Sequence, residues 1–183
     1  MAQVNYTIQF DGKTVHGPKN PHGGVMDDFP SYEPTVEGTM KSDVSSPDGN
    51  ILSAYSVSGS SYATLSGTSM STPFVAACHA LVKSQRPGLG VAEIQDLLCA
   101  TAVRVGPPRS SDMIVTTAQQ GAGMVNVFAA INAKTVIEPT APNLRDGPRP
   151  QNITIDNNAK STKQTPVSHW PGSYNNLVGE FNT

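Results

Sequence analysis

The stretch Leu65-Ser66-Gly67-Thr68-Ser69-Met70-Ser71-Thr72-Pro73-Phe74-Val75-Ala76 constrains this chain more than any other. Small residues and hydroxyls crowd a turn, and a run apolar almost all round, Phe74 to Lys83, follows at once. A helix apolar on every side reads as a buried one. Pro73 is expected in its first turn, where a missing N–H goes unneeded. A turn opening directly into a helix sets Ser hydroxyls beside free backbone N–H groups and the positive dipole end. Two uses follow. A Ser there can cap the helix, as Ser and Thr commonly do. It can also act as a nucleophile, because the same N–H groups stabilise a developing oxyanion. Spacing alone leaves both open.

The rest of the chain sorts into three parts. Residues 1–28 are poorly patterned, with one possible strand at Val4–Phe10 and a Gly/Pro loop from Gly17 to Gly24. From 29 to 139 the chain is more regular. Ile51 to Val57 reads as a short strand. Val91, Ile94, Leu97, Leu98 and Ala102 recur at helical spacing, and Glu93 suits the N-terminal end of that helix. Arg86 to Gly90 is a helix stop and loop, and Met124 to Ala133 a possible third helix. Pro139, Pro142, Pro148 and Pro150 then mark a linker. Asn152 to Asp156 alternates like a strand, and residues 151–183 are too few for a domain of their own.

Composition closes off several classes. Charged residues make up 14% of the 183, below the usual ~25%, which argues against a coiled coil. The 16 Gly and 15 Pro suit a loop-rich α/β or β protein. Net charge is −2, with no basic stripe to neutralise phosphates, so nucleic acid is not an expected partner. No apolar run is long enough for a membrane span, and Met1–Asp11 does not look like a signal peptide. Cys78 and Cys99 read as small apolar residues on helices rather than a disulfide framework or zinc site. No metal-ligand spacing stands out, and no cofactor is expected. Gly121-Ala122-Gly123 lacks the third glycine and distant acid of a dinucleotide fingerprint. Asn5-Tyr6-Thr7 and Asn152-Ile153-Thr154 are glycosylation sequons, relevant only to a secreted chain. Trp170 reads as a loop anchor.

Gly67-Thr68-Ser69-Met70-Ser71-Thr72-Pro73 resembles the serine-nucleophile signature of the subtilisin-like serine proteases (peptidase S8). Flanking segments agree in order. Phe29-Pro30-Ser31-Tyr32-Glu33-Pro34-Thr35 is similar to the family's F-S-S-Y-G-P-T. Lys41 to Ile51 is similar to K-P-D-V-S-A-P-G-G-N-I, and Gln120 to Asn126 to Q-G-A-G-L-V-N. The resemblance covers residues 29–139. It is strongest to large secreted subtilases of the fungal type, whose catalytic domain precedes a fibronectin-III-like domain; residues 140–183 weakly resemble the start of one. The resemblance implies an α/β fold: an incomplete doubly wound parallel sheet with helices, then a partial β-sandwich. It implies an extracellular endopeptidase acting on protein or peptide substrates. Ser69 would be the nucleophile, within the motif Gly67, Thr68, Ser69, Met70 and Pro73, and the Ser69 backbone N–H one oxyanion donor.

The family's partners to that serine are not found in the chain. Its Asp lies in a D-T-G or D-S-G setting and its His in H-G-T-H, both far upstream of the Ser. Asp11-Gly12, Asp48-Gly49 and Asp146-Gly147 lack that pattern. His16 and His22 sit in the Gly/Pro loop, too close to Ser69 for the family's layout. His79 lies ten residues past Ser69 in the same helix, and His169 is in the tail. The side-chain Asn that completes the oxyanion hole has no counterpart either. Inside the motifs, Glu33, Ser42, Asp48, Phe74 and Ala77 replace the family's usual Gly, Pro, Gly, His and Gly; a Glu forced to positive φ at 33 would be strained.

Two functions are therefore expected. One is a fragment of a serine endopeptidase, missing the N-terminal half of its catalytic domain and inactive alone, since a Ser without a base is a weak nucleophile. The other is a non-catalytic, protease-like binding module.

Overall fold

The computed structural model describes residues 23–56, 59, 61–106, 115–140 and 152–158. The possible strand at 4–10, His16, His22, His169, Trp170 and the sequon at Asn5 lie outside them. In chain order the elements are β1 (Ile51–Ala54), β2 (Tyr62–Leu65), α1 (Thr68–Gln85), α2 (Val91–Ala100), α3 (Thr117–Gln120), α4 (Val127–Asn132), β3 (Thr135–Glu138) and β4 (Thr154–Asn157).

The three expected helices all form, but α1, read as a buried helix, has only Cys78 and Val82 buried, since one face of it packs on α2 and α4. α2 begins after Gly90, whose N–H donates to the Glu93 carboxylate at 2.5 Å, the reaching-back half of a capping box. Its apolar stripe, Ile94, Leu97 and Leu98, is buried. α4 begins after Asn126, whose Oδ1 accepts from the Ala129 N–H at 2.9 Å. Arg86, just past α1, donates from Nη1 to the Ala130 and Ala133 carbonyls at 3.3 and 3.4 Å. A cation on the last carbonyls of a helix offsets both their lost partners and the negative dipole end. Replacing Asn126 with Ala should cost about 1 kcal/mol in urea denaturation, the usual worth of such a cap.

α1 departs from expectation at its start. It begins at Thr68, six residues before the apolar run, so Pro73 lies inside the helix rather than at its opening. Proline has no N–H to give the Ser69 carbonyl one turn back, so the turn bearing Ser69 joins the helix by one bond fewer. Ser and Thr are weak helix formers, and tertiary hydrogen bonds to residues 46–50 set this turn instead.

The core is the meeting of α1, α2 and α4: Cys78, Val82, Ile94, Leu97, Leu98 and Ala130 cluster there, with Val125, Val127, Ile131 and Val136 packed against them. The fold is α/β in composition. A parallel doubly wound sheet is not what the described residues contain. Their sheets are two antiparallel pairs, β1–β2 and β3–β4, with Ile51 opposite Leu65 and Thr135 opposite Asn157. Among the described residues, parallel pairing is confined to the isolated bridges Val25–Gly106 and Ser45–Met124. The β1–β2 connection, residues 55–61, is too short for the crossover a parallel pair requires. A strand forms at Thr154–Asn157, within the stretch read as one, though all four residues are exposed; it pairs with β3, so the ladder joins residues on both sides of position 139. No described helix is long and apolar enough to cross a membrane.

Candidate active site

The loop of residues 45–50 holds the start of α1. The Asp48 carbonyl accepts from the Gly67 N–H at 3.0 Å, and the Asn50 N–H donates to Ser66 Oγ at 2.8 Å. Ser46 and Ser71 bond reciprocally, each hydroxyl donating to the other's carbonyl at 3.2 Å. Ser46 is buried, so this pair is shielded from competing water. Behind the loop, Ser45 exchanges backbone bonds with the Gly123–Val125 strip: its N–H donates to Gly123 and its carbonyl accepts from Val125, both at 2.8 Å. Residues far apart in sequence thus lock one helical turn.

Ser69 does not cap the helix. The residue at the N-cap is Gly67, at φ 148° and ψ 160°, and no side chain caps the helix. Ser69 stands inside the first turn and is exposed. The first N–H groups of a helix have no partner within it, so the turn around Ser69 is rich in free donors. Thr68 is exposed and Met70 half-buried; the Met70 N–H donates to the Gly67 carbonyl at 2.8 Å, tightening the turn. Thr72 is tied to the helix backbone, its Oγ1 donating to the Thr68 carbonyl at 3.1 Å.

A cleft of about 930 Å³ opens beside this turn. Thr68, Ser71 and Thr72 line it, as do Asp27, Asp43 and Asp48, whereas Ser69 does not. His79, the one histidine among the described residues, is half-buried, and its Nδ1 lies 3.1 Å from the Val75 carbonyl of its own helix. Among the described residues no group of three or more His, Cys, Asp or Glu side chains is placed to hold a metal. Cys78 and Cys99 are free thiols, and burial pushes both up from the usual thiol range.

The departures from the family pattern find partners. Glu33 Oε2 accepts from the Lys41 N–H at 2.9 Å, and its Oε1 from Ser42 Oγ at 3.2 Å, so two replaced positions satisfy each other. Asn50 and Ser61 are the non-glycine residues at positive φ among those described; Glu33 carries no such strain. Phe74 is exposed, and so is Leu81 further along the same outer face of α1. Sequence reasoning missed the close approach of the Asp27 carboxylate to Gly49, and the role of Gln120. The buried Gln120 amide accepts from the Val105 N–H at 2.8 Å and donates to the Val115 carbonyl. Only the resemblance around Gln120 hinted at a structural position there.

The model of the subtilase family matches residues 12–126. That span is most of the chain and contains Ser69 together with the 45–50 loop. The chain belongs to the subtilase family, a family of serine proteases. It is 34% identical over 123 residues to the PII-type proteinase of Lactococcus lactis subsp. cremoris, covering 59% of this chain and 6% of that protein. It is 35% identical over 105 residues to the thermostable alkaline protease of Halalkalibacterium halodurans, covering 57% and 27%. With subtilisin BL of Lederbergia lenta the figures are 40% over 88 residues, covering 48% and 29%. The matched region is thus under a third of each relative's own length.

Proposed function

We propose that this chain carries the serine half of a subtilisin-like endopeptidase site, with Ser69 as its nucleophile. One observation supports the reading above the others: Ser69 is exposed inside an uncapped helical turn, within the seven-residue motif Gly67 to Pro73. Ser69 Oγ attacks the peptide carbonyl, and the carbonyl oxygen becomes an oxyanion. The Ser69 N–H is one of the donors that meet it. Collapse expels the amine and leaves an acyl-enzyme, which water hydrolyses. The substrate is a protein or peptide, and the setting extracellular. Residues 140–183 open a fibronectin-III-like segment like that of the fungal-type subtilases.

The reaction needs a base to take the Ser69 proton and an Asp to orient it, and neither family motif lies within residues 1–183. Those groups belong to the N-terminal half of the catalytic domain. The exposed outer face of α1, with Phe74 and Leu81, supports a role in docking it, since a helix apolar all round has a second face to cover. The chain by itself is expected to show no Ser69-dependent turnover of a fluorogenic peptide. Hydrolysis that disappears in Ser69→Ala would overturn the predicted inactivity and reveal a base within the chain.

The placement of Ser69 outside the cleft favours a second reading, a non-catalytic protease-like module that binds peptides. Cooperative thermal unfolding of a soluble monomer would favour it, and an aggregated or molten product would remove it.

A further inference from the structure

We propose that the cleft beside the serine-bearing turn binds an extended peptide carrying a lysine or arginine side chain. The peptide backbone lies on the open edge of residues 43–46, and its basic group sits among the aspartates of the cleft. Such a ligand rests on the peptide-binding reading of the chain and deepens it; Ser69, which does not line the cleft, takes no part.

One edge of the 43–46 strip is already used. The Asp43 carbonyl accepts from the Ala122 N–H at 3.0 Å. The Ser45 N–H donates to the Gly123 carbonyl, and the Ser45 carbonyl accepts from the Val125 N–H, both at 2.8 Å. The Ser45–Met124 bridge makes this pairing parallel. Successive residues of an extended strip turn their backbone groups to opposite edges. The N–H and C=O of Val44 therefore face away from residues 122–125, and no backbone group among the described residues bonds them. Val44 is half-buried and lines the cleft. A strand edge with open donors and acceptors is a template for one more strand.

Gln119 points the same way. It lines the cleft and is 6% exposed. Its Nε2 donates to the Asp27 carbonyl at 3.3 Å, which fixes the orientation of the amide, since the reverse would set two oxygens against each other. Its Oε1 is buried and has no hydrogen-bond partner among the described residues. A buried acceptor without a donor is costly, and an N–H brought into the cleft removes that cost.

Charge selects the occupant. Asp27, Asp43 and Asp48 line the cleft against one basic residue, Lys41. Lys41 Nζ lies 3.7 Å from Asp43 Oδ2, which leaves Asp27 and Asp48 with no basic partner among the described residues. No three acids there are grouped to hold a metal ion, and a cation at the end of a flexible stem suits carboxylates that stand apart. Val44, Val75 and Met124 offer that stem an apolar wall. The volume, about 930 Å³, gives room for several residues of a peptide.

The test titrates the whole chain with labelled octapeptides of alternating valine and threonine, read by fluorescence anisotropy. One carries a central arginine, one has glutamine in its place, and a third carries the arginine but is N-methylated at alternate residues. The arginine peptide is expected to bind about tenfold tighter than the glutamine peptide, and the N-methylated peptide to lose a similar factor. Asp27→Asn combined with Asp48→Asn should bring the arginine peptide down to the level of the glutamine peptide. In NMR spectra of the chain, the Val44 amide and the Gln119 side-chain amide should shift on adding the arginine peptide. Equal binding of the arginine and glutamine peptides keeps the peptide-binding reading and overturns this ligand class. Undiminished binding of the N-methylated peptide, or shifts that spare Val44 and Gln119, overturns the strand-edge site. Absence of binding overturns both the site and the peptide-binding reading. The peptide comparisons use the unaltered chain, so they stand even where a variant fails to fold. The readout is binding at equilibrium, so it does not depend on turnover at Ser69.

Discussion

Gly121→Ala is expected to destabilise the chain by about 3 kcal/mol or more, a large share of the ~5–15 kcal/mol that holds an ordinary domain together. Gly121 ends α3 at φ 62° and ψ −133°, a region that side chains with a Cβ reach only under strain of ~1–3 kcal/mol. A Cβ there would lie 1.9 Å from the Ser42 carbonyl oxygen and 2.7 Å from the Asp43 carbonyl carbon. These are backbone atoms, so no rotamer change relieves the clash, and overpacking adds ~1–3 kcal/mol. The neighbouring Ala122 N–H is bonded to the Asp43 carbonyl at 3.0 Å, which leaves residues 42–43 little room to retreat. The effect reaches the site. Residues 42–43 lead into Ser45 and Ser46, and Ser46 is one half of the reciprocal pair with Ser71. Urea denaturation gives the loss in stability. Protease susceptibility at residues 66–72 should rise with it. A loss below about 1 kcal/mol would mean that the 42–43 segment moves aside freely and that the close approach is not required.

Leu97→Ala should cost about 2–5 kcal/mol, the range for a leucine removed from a core that relaxes only partly. Leu97 is 0% exposed and sits where α1, α2 and α4 converge. Its Thr101 neighbour also closes the helix end on it, donating from Oγ1 to the Leu97 carbonyl at 2.8 Å. The matched control is Leu81→Ala on the outer face of α1, where Leu81 is 51% exposed. That change should stay within about 0.5 kcal/mol in the isolated chain. Equal losses at the two positions would show that the outer face of α1 is buried in solution, in this chain or between copies of it.

The elements legible in sequence were those with a local period. α2 follows from the 3.6-residue repeat of apolar positions and from Glu93 near its start, and α4 lies within the stretch read as a possible third helix. β1 follows from the run after Asn50. The elements missed were short ones whose partners lie elsewhere. α3 is four residues long, opened by the Thr116 hydroxyl accepting from the Ala118 N–H at 3.3 Å, and no repeat shows in so few residues. β2, Tyr62–Leu65, is an exposed strand read only through its pairing with β1. The expected parallel sheet was a property of the resemblance, and pairing among these residues is decided by connection length and by which strands are at hand.

For the site, sequence alone determined the chemistry available: a seven-residue serine motif opening an apolar helix, with no Asp or His motif to serve it. Those are matters of residue identity and local spacing. Tertiary structure decided the rest. It made Gly67 the helix cap, set Ser69 inside an exposed first turn beside the cleft instead of within it, and carried Pro73 into the helix. It also brought the Asp27 carboxylate close to Gly49, 22 positions further along the chain. A helical period repeats within a few residues and can be read there. Which hydroxyl faces a cleft, and which side chains line it, depend on how distant segments fold back on one another.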